Sequence, residues 1–166
     1  GENDGTLTSC YATGSVSGGK AVGGLVGVNG GYYGSGTITS CFWNTQTSGQ
    51  TSSAGGTGKT TAEMKQKVTF TSYGWDFVSE TMSGTADVWR LCVDGTGYPK
   101  LWWQFPRGDF RCPGGVGLED MAVLSEQWLC EKLSYDIAPG TGDGIVNFFD
   151  WAVFANTWQG DMAQLA

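Results

Sequence analysis

Sixteen acidic residues, nine Lys and Arg, and no His in 166 residues narrow the chemistry open to this chain. Without His there is no Ser-His-Asp or Cys-His nucleophile system and no imidazole metal ligand. Paired carboxylates could serve a glycosidase, but the acids of residues 1–107 are few and scattered. Hard-cation binding through oxygen suits the remaining acids. In Asp143-Gly144-Ile145-Val146-Asn147-Phe148-Phe149-Asp150, Asp143 and Asp150 offer carboxylates, Ile145 its carbonyl and Asn147 its side-chain oxygen. Gly144 permits the sharp turn that lets such a loop wrap calcium. Asp136, seven residues before Asp143, is the nearest acid able to open the loop, and it requires an insertion that bulges out.

The element that must position these ligands is written twice. GGVGLEDMAVLSEQW (Gly114–Trp128) and GDGIVNFFDWAVFANTW (Gly142–Trp158) align at an offset of thirty, pairing Val116 with Val146, Asp120 with Asp150, Val123 with Val153 and Trp128 with Trp158. Each copy reads as a loop followed by a helix. Trp151, Phe154, Ala155 and Trp158 fall at i, i+3, i+4 and i+7, as do Met121, Leu124, Ser125 and Trp128, which predicts one apolar face per helix. The first loop is poorer, with Pro113 in place of Asp143 and Gly117 in place of Asn147, leaving Asp109 and Asp120 as weaker metal ligands. The competing reading is a calcium-free helical pair in which Asp120 and Asp150 serve only as caps.

This pair resembles a dockerin, the small calcium-dependent module that plugs secreted bacterial proteins into cohesin partners, over residues 108–161. The resemblance implies calcium as cofactor and a cohesin-like protein partner. Docking would run through the helix faces, with Met121, Leu124, Trp128, Trp151, Phe154 and Trp158 as contacts. The chain departs from the dockerin pattern, whose loop begins with an Asp four residues before the Asp-Gly pair.

Charge divides at the same place. Residues 108–166 hold nine acids against Arg111 and Lys132, a balance of 2 − 9 = −7, whereas residues 1–107 hold seven charges of each sign. Bound cations would offset some of that charge, and its sign argues against nucleic acid.

The first part has its own repeat. Gly5-Thr6-Leu7-Thr8-Ser9-Cys10-Tyr11 returns as Gly36-Thr37-Ile38-Thr39-Ser40-Cys41-Phe42, an offset of thirty-one, with GSVSGGKAVGGLVGVNGG between. Short β-rich runs at this period predict stacked turns with Leu7 over Ile38, Cys10 over Cys41 and Tyr11 over Phe42. The Gly23–Gly27 stretch, Gly-Gly-Leu-Val-Gly, and CYATGSVSG before it resemble the GLUG motif of bacterial cell-surface and secreted proteins. The expected fold is therefore mainly β: a short Gly-rich β-solenoid with a Trp-rich cap over 1–107, then a small α-helical, EF-hand-related module over 108–166. Residues 60–67 are expected to form a short helix within the cap. Trp89, Trp102 and Trp103 are expected mainly to pack, with sugar stacking as the alternative. Gly55–Thr61 imitates a phosphate-binding loop, but Ser53 stands where that motif needs Gly and no apolar strand precedes it.

Five Cys allow two intrachain disulfides. Cys112 and Cys130, flanking the first loop and helix, are the expected pair; Cys10 and Cys41 face each other across turns, leaving Cys92 over. No leader, long apolar run or lipidation motif is present, so any export signal would lie upstream and membrane insertion is not expected. The sequence opens almost inside a repeat, so a bare strand edge could recruit another copy. Together these features predict a secreted or cell-surface, non-enzymatic assembly protein that binds a protein partner, copies of itself in a filament, or a glycan as the accessory region of a polysaccharide-degrading enzyme.

Overall fold

The computed structural model describes residues 1–31, 34, 36–78, 86–112, 114–131, 135–138 and 142–158. Strand β1 (Glu2–Asn3), β2 (Thr6–Thr8) and β3 (Tyr11–Ala12) form one turn of chain. Strands β4 (Val28–Asn29), β5 (Thr37–Thr39) and β6 (Phe42–Asn44) form the next. The turns pair in parallel, β1 with β4, β2 with β5 and β3 with β6, and β7 (Thr57–Lys59) adds beside β6. The thirty-one-residue repeat sets the register: Leu7 lies on Ile38 and Tyr11 on Phe42. Ser9 and Ser40 repeat the same left-handed corner, with φ of 50° and 52°. Close approach explains two glycines of the GGLVG stretch. A Cβ on Gly24 would sit 1.9 Å from the Trp43 ring, and one on Gly27 would sit 1.8 Å from the Ala21 carbonyl.

The expectation of a mainly β solenoid is nevertheless corrected. Among the described residues, the strands are two or three residues long and fall into four small sheets; none closes or runs on as a solenoid wall, and three short helices accompany them. The physical reason lies in the Gly- and Ser-rich segments between strands, which lack the β-branched alternation that extends a ladder. Parallel register alone therefore does not make a solenoid. The fold is mixed: small sheets and one helix share one core, and the other two helices cover a second.

Beyond β7, a 3-10 turn (Glu63–Lys65) precedes helix α1 (Lys67–Thr71), so the helix expected over 60–67 is split and lies further on. The P-loop-like segment contains β7, and its Lys59 reaches Glu63. Strands β8 (Trp89–Arg90) and β9 (Lys100–Leu101) close an antiparallel pair. Phe42, Met64, Phe70, Trp75 and Phe77 form the first core, with Tyr11, Trp89, Leu91 and Tyr98 against it. Asn44, fully buried, is satisfied there by Thr61, Tyr98 and the backbone N–H groups of Gln46 and Thr47. Trp89 thus packs as expected, whereas Trp102 and Trp103 stand exposed on a 3-10 turn.

A second core forms from Val116, Leu124, Ile137, Val146 and Phe154, under helices α2 (Leu118–Glu126) and α3 (Phe148–Thr157). The two cores are joined covalently. The disulfide is Cys92–Cys112, with Cα atoms 5.1 Å apart, and Cys130 is free. This corrects the expected Cys112–Cys130 pair: proximity along the sequence did not measure the reach of β8, which brings Cys92 to the start of the second unit.

Candidate metal centre

Each helix of the second unit opens on a loop whose N–H groups converge on a buried carboxylate. Asp150 is fully buried. One of its oxygens accepts from the N–H groups of Ile137 (2.6 Å) and Ala138 (2.9 Å), and the other accepts from Asn147 N (2.7 Å). Asp120 repeats the arrangement, accepting from Arg111 N (2.5 Å) and Gly117 N (2.9 Å). Both are thus third-position partners of helix N-termini, as the capping alternative expected, and both also tie the helix to the preceding loop.

The second loop adds two more carboxylates. Asp136 is buried and accepts from the N–H groups of Asp143 (3.2 Å) and Gly144 (2.5 Å), which closes the insertion onto the loop. Residues 139–141 of that insertion lie outside the described residues. Gly144 turns with φ of +93°, the conformation asked of it. Ligand oxygens of Asp136, Asp143 and Asp150 lie within 4.8 Å of one another. Backbone N–H groups offset part of the repulsion among these carboxylates, and an all-oxygen donor set fits a hard divalent ion.

Asn147 takes a different part from the one expected. Its oxygen accepts from Phe149 N at 2.7 Å, which caps α3, while its amide donates to Asp143 (2.9 Å) and to the Ile145 carbonyl (3.2 Å). In this arrangement Asn147 braces Asp143 and Ile145, and its oxygen is turned away from ligand duty. Asn147 is also the N-cap of α3, and the unpaired N–H groups of the first turn compete for its oxygen.

The first loop differs in kind. Asp109 is buried and faces Arg90 of β8, whose guanidinium lies 3.4 Å from the carboxylate and also bonds the Asp109 carbonyl. Arg90 further lies 4.7 Å from the Phe105 ring. Burial pushes the Asp109 carboxyl up, opposed by Arg90 and reinforced by Asp120; burial likewise pulls Arg90 down. Among the described residues, no third acid joins Asp109 and Asp120 in a group close enough to hold a metal ion. A guanidinium from the other core already neutralises the site, a residue that sequence reasoning missed because nothing in the repeat points 19 positions upstream of Asp109. Pro113 of this loop lies outside the described residues.

The helix faces are turned from their expected phase. Asp120, Val123 and Leu124 are buried on α2, and Asp150 and Phe154 on α3. Leu124 and Phe154 belong to the core and are unavailable for docking. Trp128 and Trp158 are half-buried, and Trp158 packs on Phe154. Met121 and Trp151 remain exposed and are joined by Leu118, Phe148 and Phe149, all well exposed. The buried carboxylate is itself the first member of the inward stripe, which rotates the following residue outward. The missed signal was three apolar residues in first helical turns, off the apolar stripe.

No protein-family model matches the chain, and no solved structure matches it significantly. Over 75 residues it is 41% identical to a protein of Evansella cellulosilytica named "Putative Gly-rich membrane protein"; the match covers 44% of this chain and 9% of that protein. The chain thus spans under a tenth of that relative's length. Among the described residues, no helix is long and apolar enough to cross a membrane.

Proposed function

We propose that the second unit is a calcium-organised docking module, dockerin-like in kind, within a secreted or cell-surface assembly protein that has no catalytic role of its own. The observation that carries this reading is the convergence of Asp136, Asp143 and Asp150 at the base of α3. Calcium held there would bind the loop to the helix that bears Phe148, Phe149 and Trp151. A cohesin-like protein is the proposed partner, meeting Leu118, Met121, Phe148, Phe149 and Trp151, because large apolar side chains left exposed in this number mark contact surfaces. The name of the Evansella relative is compatible with a cell-surface setting. The GLUG-like stretch supports the same setting by resemblance.

Sedimentation velocity over a concentration series, in calcium and then in chelator, tests the module. The expected result is a monomer whose frictional ratio rises when calcium is removed. Polymers growing with concentration would favour self-assembly through the same exposed apolar residues, and an unchanged monomer in chelator would overturn calcium organisation. A second reading, glycan binding, is favoured by the exposure of Trp102 and Trp103. It predicts quenching of Trp fluorescence by polysaccharide, lost in Trp103→Ala; no change with any glycan removes it.

A further inference from the structure

Outside the acidic loops, two free thiols, Cys10 and Cys41, fall at matching places of the repeat. The two residues occupy the same place in successive turns. Ser9 N donates to Thr39 O at 3.2 Å before them, and Phe42 N donates to Cys10 O at 2.9 Å across them. Each thiol points back along its own turn in the same way, Cys10 to Thr8 O and Cys41 to Thr39 O, both at 3.2 Å. The register that pairs Tyr11 with Phe42 sets the preceding residues, Cys10 and Cys41, side by side. Neighbouring parallel strands run about 4.8 Å apart, inside the Cα separation of about 4.4–6.8 Å that a disulfide spans. Both thiols are free in a chain that already carries one disulfide.

We propose that Cys10 and Cys41 are a dithiol site that closes to a second disulfide by exchange with a small external disulfide, stapling the first turn of chain to the second. Cys10 is half-exposed and Cys41 is buried, so Cys10 is the attacking residue. Its thiolate attacks one sulfur of the external disulfide and releases one small thiol, leaving a mixed disulfide. Cys41 then gives up its proton and attacks the Cys10 sulfur, releasing the second small thiol. Two protein thiols are oxidised and one external disulfide is reduced to two thiols, so electrons and protons balance. Burial raises the Cys41 thiol above its ordinary range, in keeping with its role as the resolving partner.

Cys130, half-exposed and free, is the internal control. The whole chain, incubated with oxidised glutathione, is unfolded without reductant, alkylated with iodoacetamide and weighed intact. The expected result is loss of both Cys10 and Cys41 from the three thiols free in this structure, with Cys130 carrying either an alkyl group or one glutathione, and a digest peptide linking residues 10 and 41. In Cys41→Ser the expected result is a stable glutathione adduct on Cys10. In Cys10→Ser, which removes the less buried thiol, buried Cys41 should stay reduced and alkylate after unfolding. Three alkylated thiols in the oxidised wild type, a persistent glutathione adduct on wild-type Cys10, or a bridge that includes Cys130 would each overturn the proposal.

Discussion

Replacing Asp143 with Ala separates calcium binding from folding, because Asp143 is the exposed member of the carboxylate cluster. Its own bonds in the loop are from Ile145 N at 3.2 Å and the Asn147 amide at 2.9 Å. Both are at the surface, so their loss in chelator should cost no more than about 1 kcal/mol. Calcium acts differently. Extracellular calcium modules bind at about 0.1–1 mM, so about 10 mM calcium stabilises the folded state by RT ln(1 + [L]/Kd), about 1.4–2.7 kcal/mol. For a chain of this length that is a rise in Tm of about 3–11 °C. Calorimetry of wild type and Asp143→Ala in calcium, in chelator, and in sodium chloride of matched ionic strength reads the difference. The salt control matters because a chain of net charge −7 gains from screening alone. The reasoning predicts the rise for wild type and its loss in Asp143→Ala. Equal Tm in calcium and matched salt, or an undiminished rise in the variant, would refute it.

Further expectations concern the struts around the loops. Asp150→Ala strands three backbone N–H groups in the second core, costing about 3 kcal/mol or more even in chelator; denaturant melts should show it, with a much smaller loss for Asp143→Ala. Arg90→Met leaves the buried Asp109 carboxylate without its cation, costing about 3 kcal/mol at neutral pH. The sign with pH follows from the Asp109 carboxyl being raised in the folded state. Its contribution is fully present below the ordinary Asp range and is lost as pH rises through the raised value. Removing Arg90 raises it further, so the deficit of Arg90→Met relative to wild type should shrink as pH falls towards 4, and a deficit that widens on acidification would contradict this. Cys112→Ser opens a loop of 20 residues' separation, costing about 3 kcal/mol, and should expose the segment from 93 to 111 to limited proteolysis.

Repetition made much of this architecture legible, and side-chain competition hid the rest. The offset of thirty-one foretold the pairing of Leu7 with Ile38 because identical residues at equal spacing stack with little alternative. It did not foretell strand length, which depends on how far the Gly-rich links extend a ladder. In the second unit, the offset of thirty found Val116 and Val146, both buried at matching places. The helical phase was not legible because the apolar stripe, taken alone, starts at Met121 and Trp151, one residue after Asp120 and Asp150, which the metal and capping readings both set apart from the core. Bonded to loop N–H groups, each is an inward residue, and Met121 and Trp151 are turned out in consequence. Asn147 was legible as an oxygen donor but not as a cap, since one side chain cannot give its oxygen to both roles. Arg90 and Cys92 were invisible as partners of Asp109 and Cys112 because both pairs span separate cores, and the sequence carries no periodicity linking them.

The Cys92–Cys112 bond also decides how the molecule carries load. If the helical unit is gripped by a partner while the first turns are anchored elsewhere, tension entering through Val116 and α2 reaches β8 through a covalent bond only a few residues away. The chain from 93 to 111 is bypassed and stays slack. Pulling would therefore not peel that segment out as a spring. The first mechanical event should be rupture within one of the two cores, and in reducing conditions the same pull should first pay out the bypassed segment as added contour length.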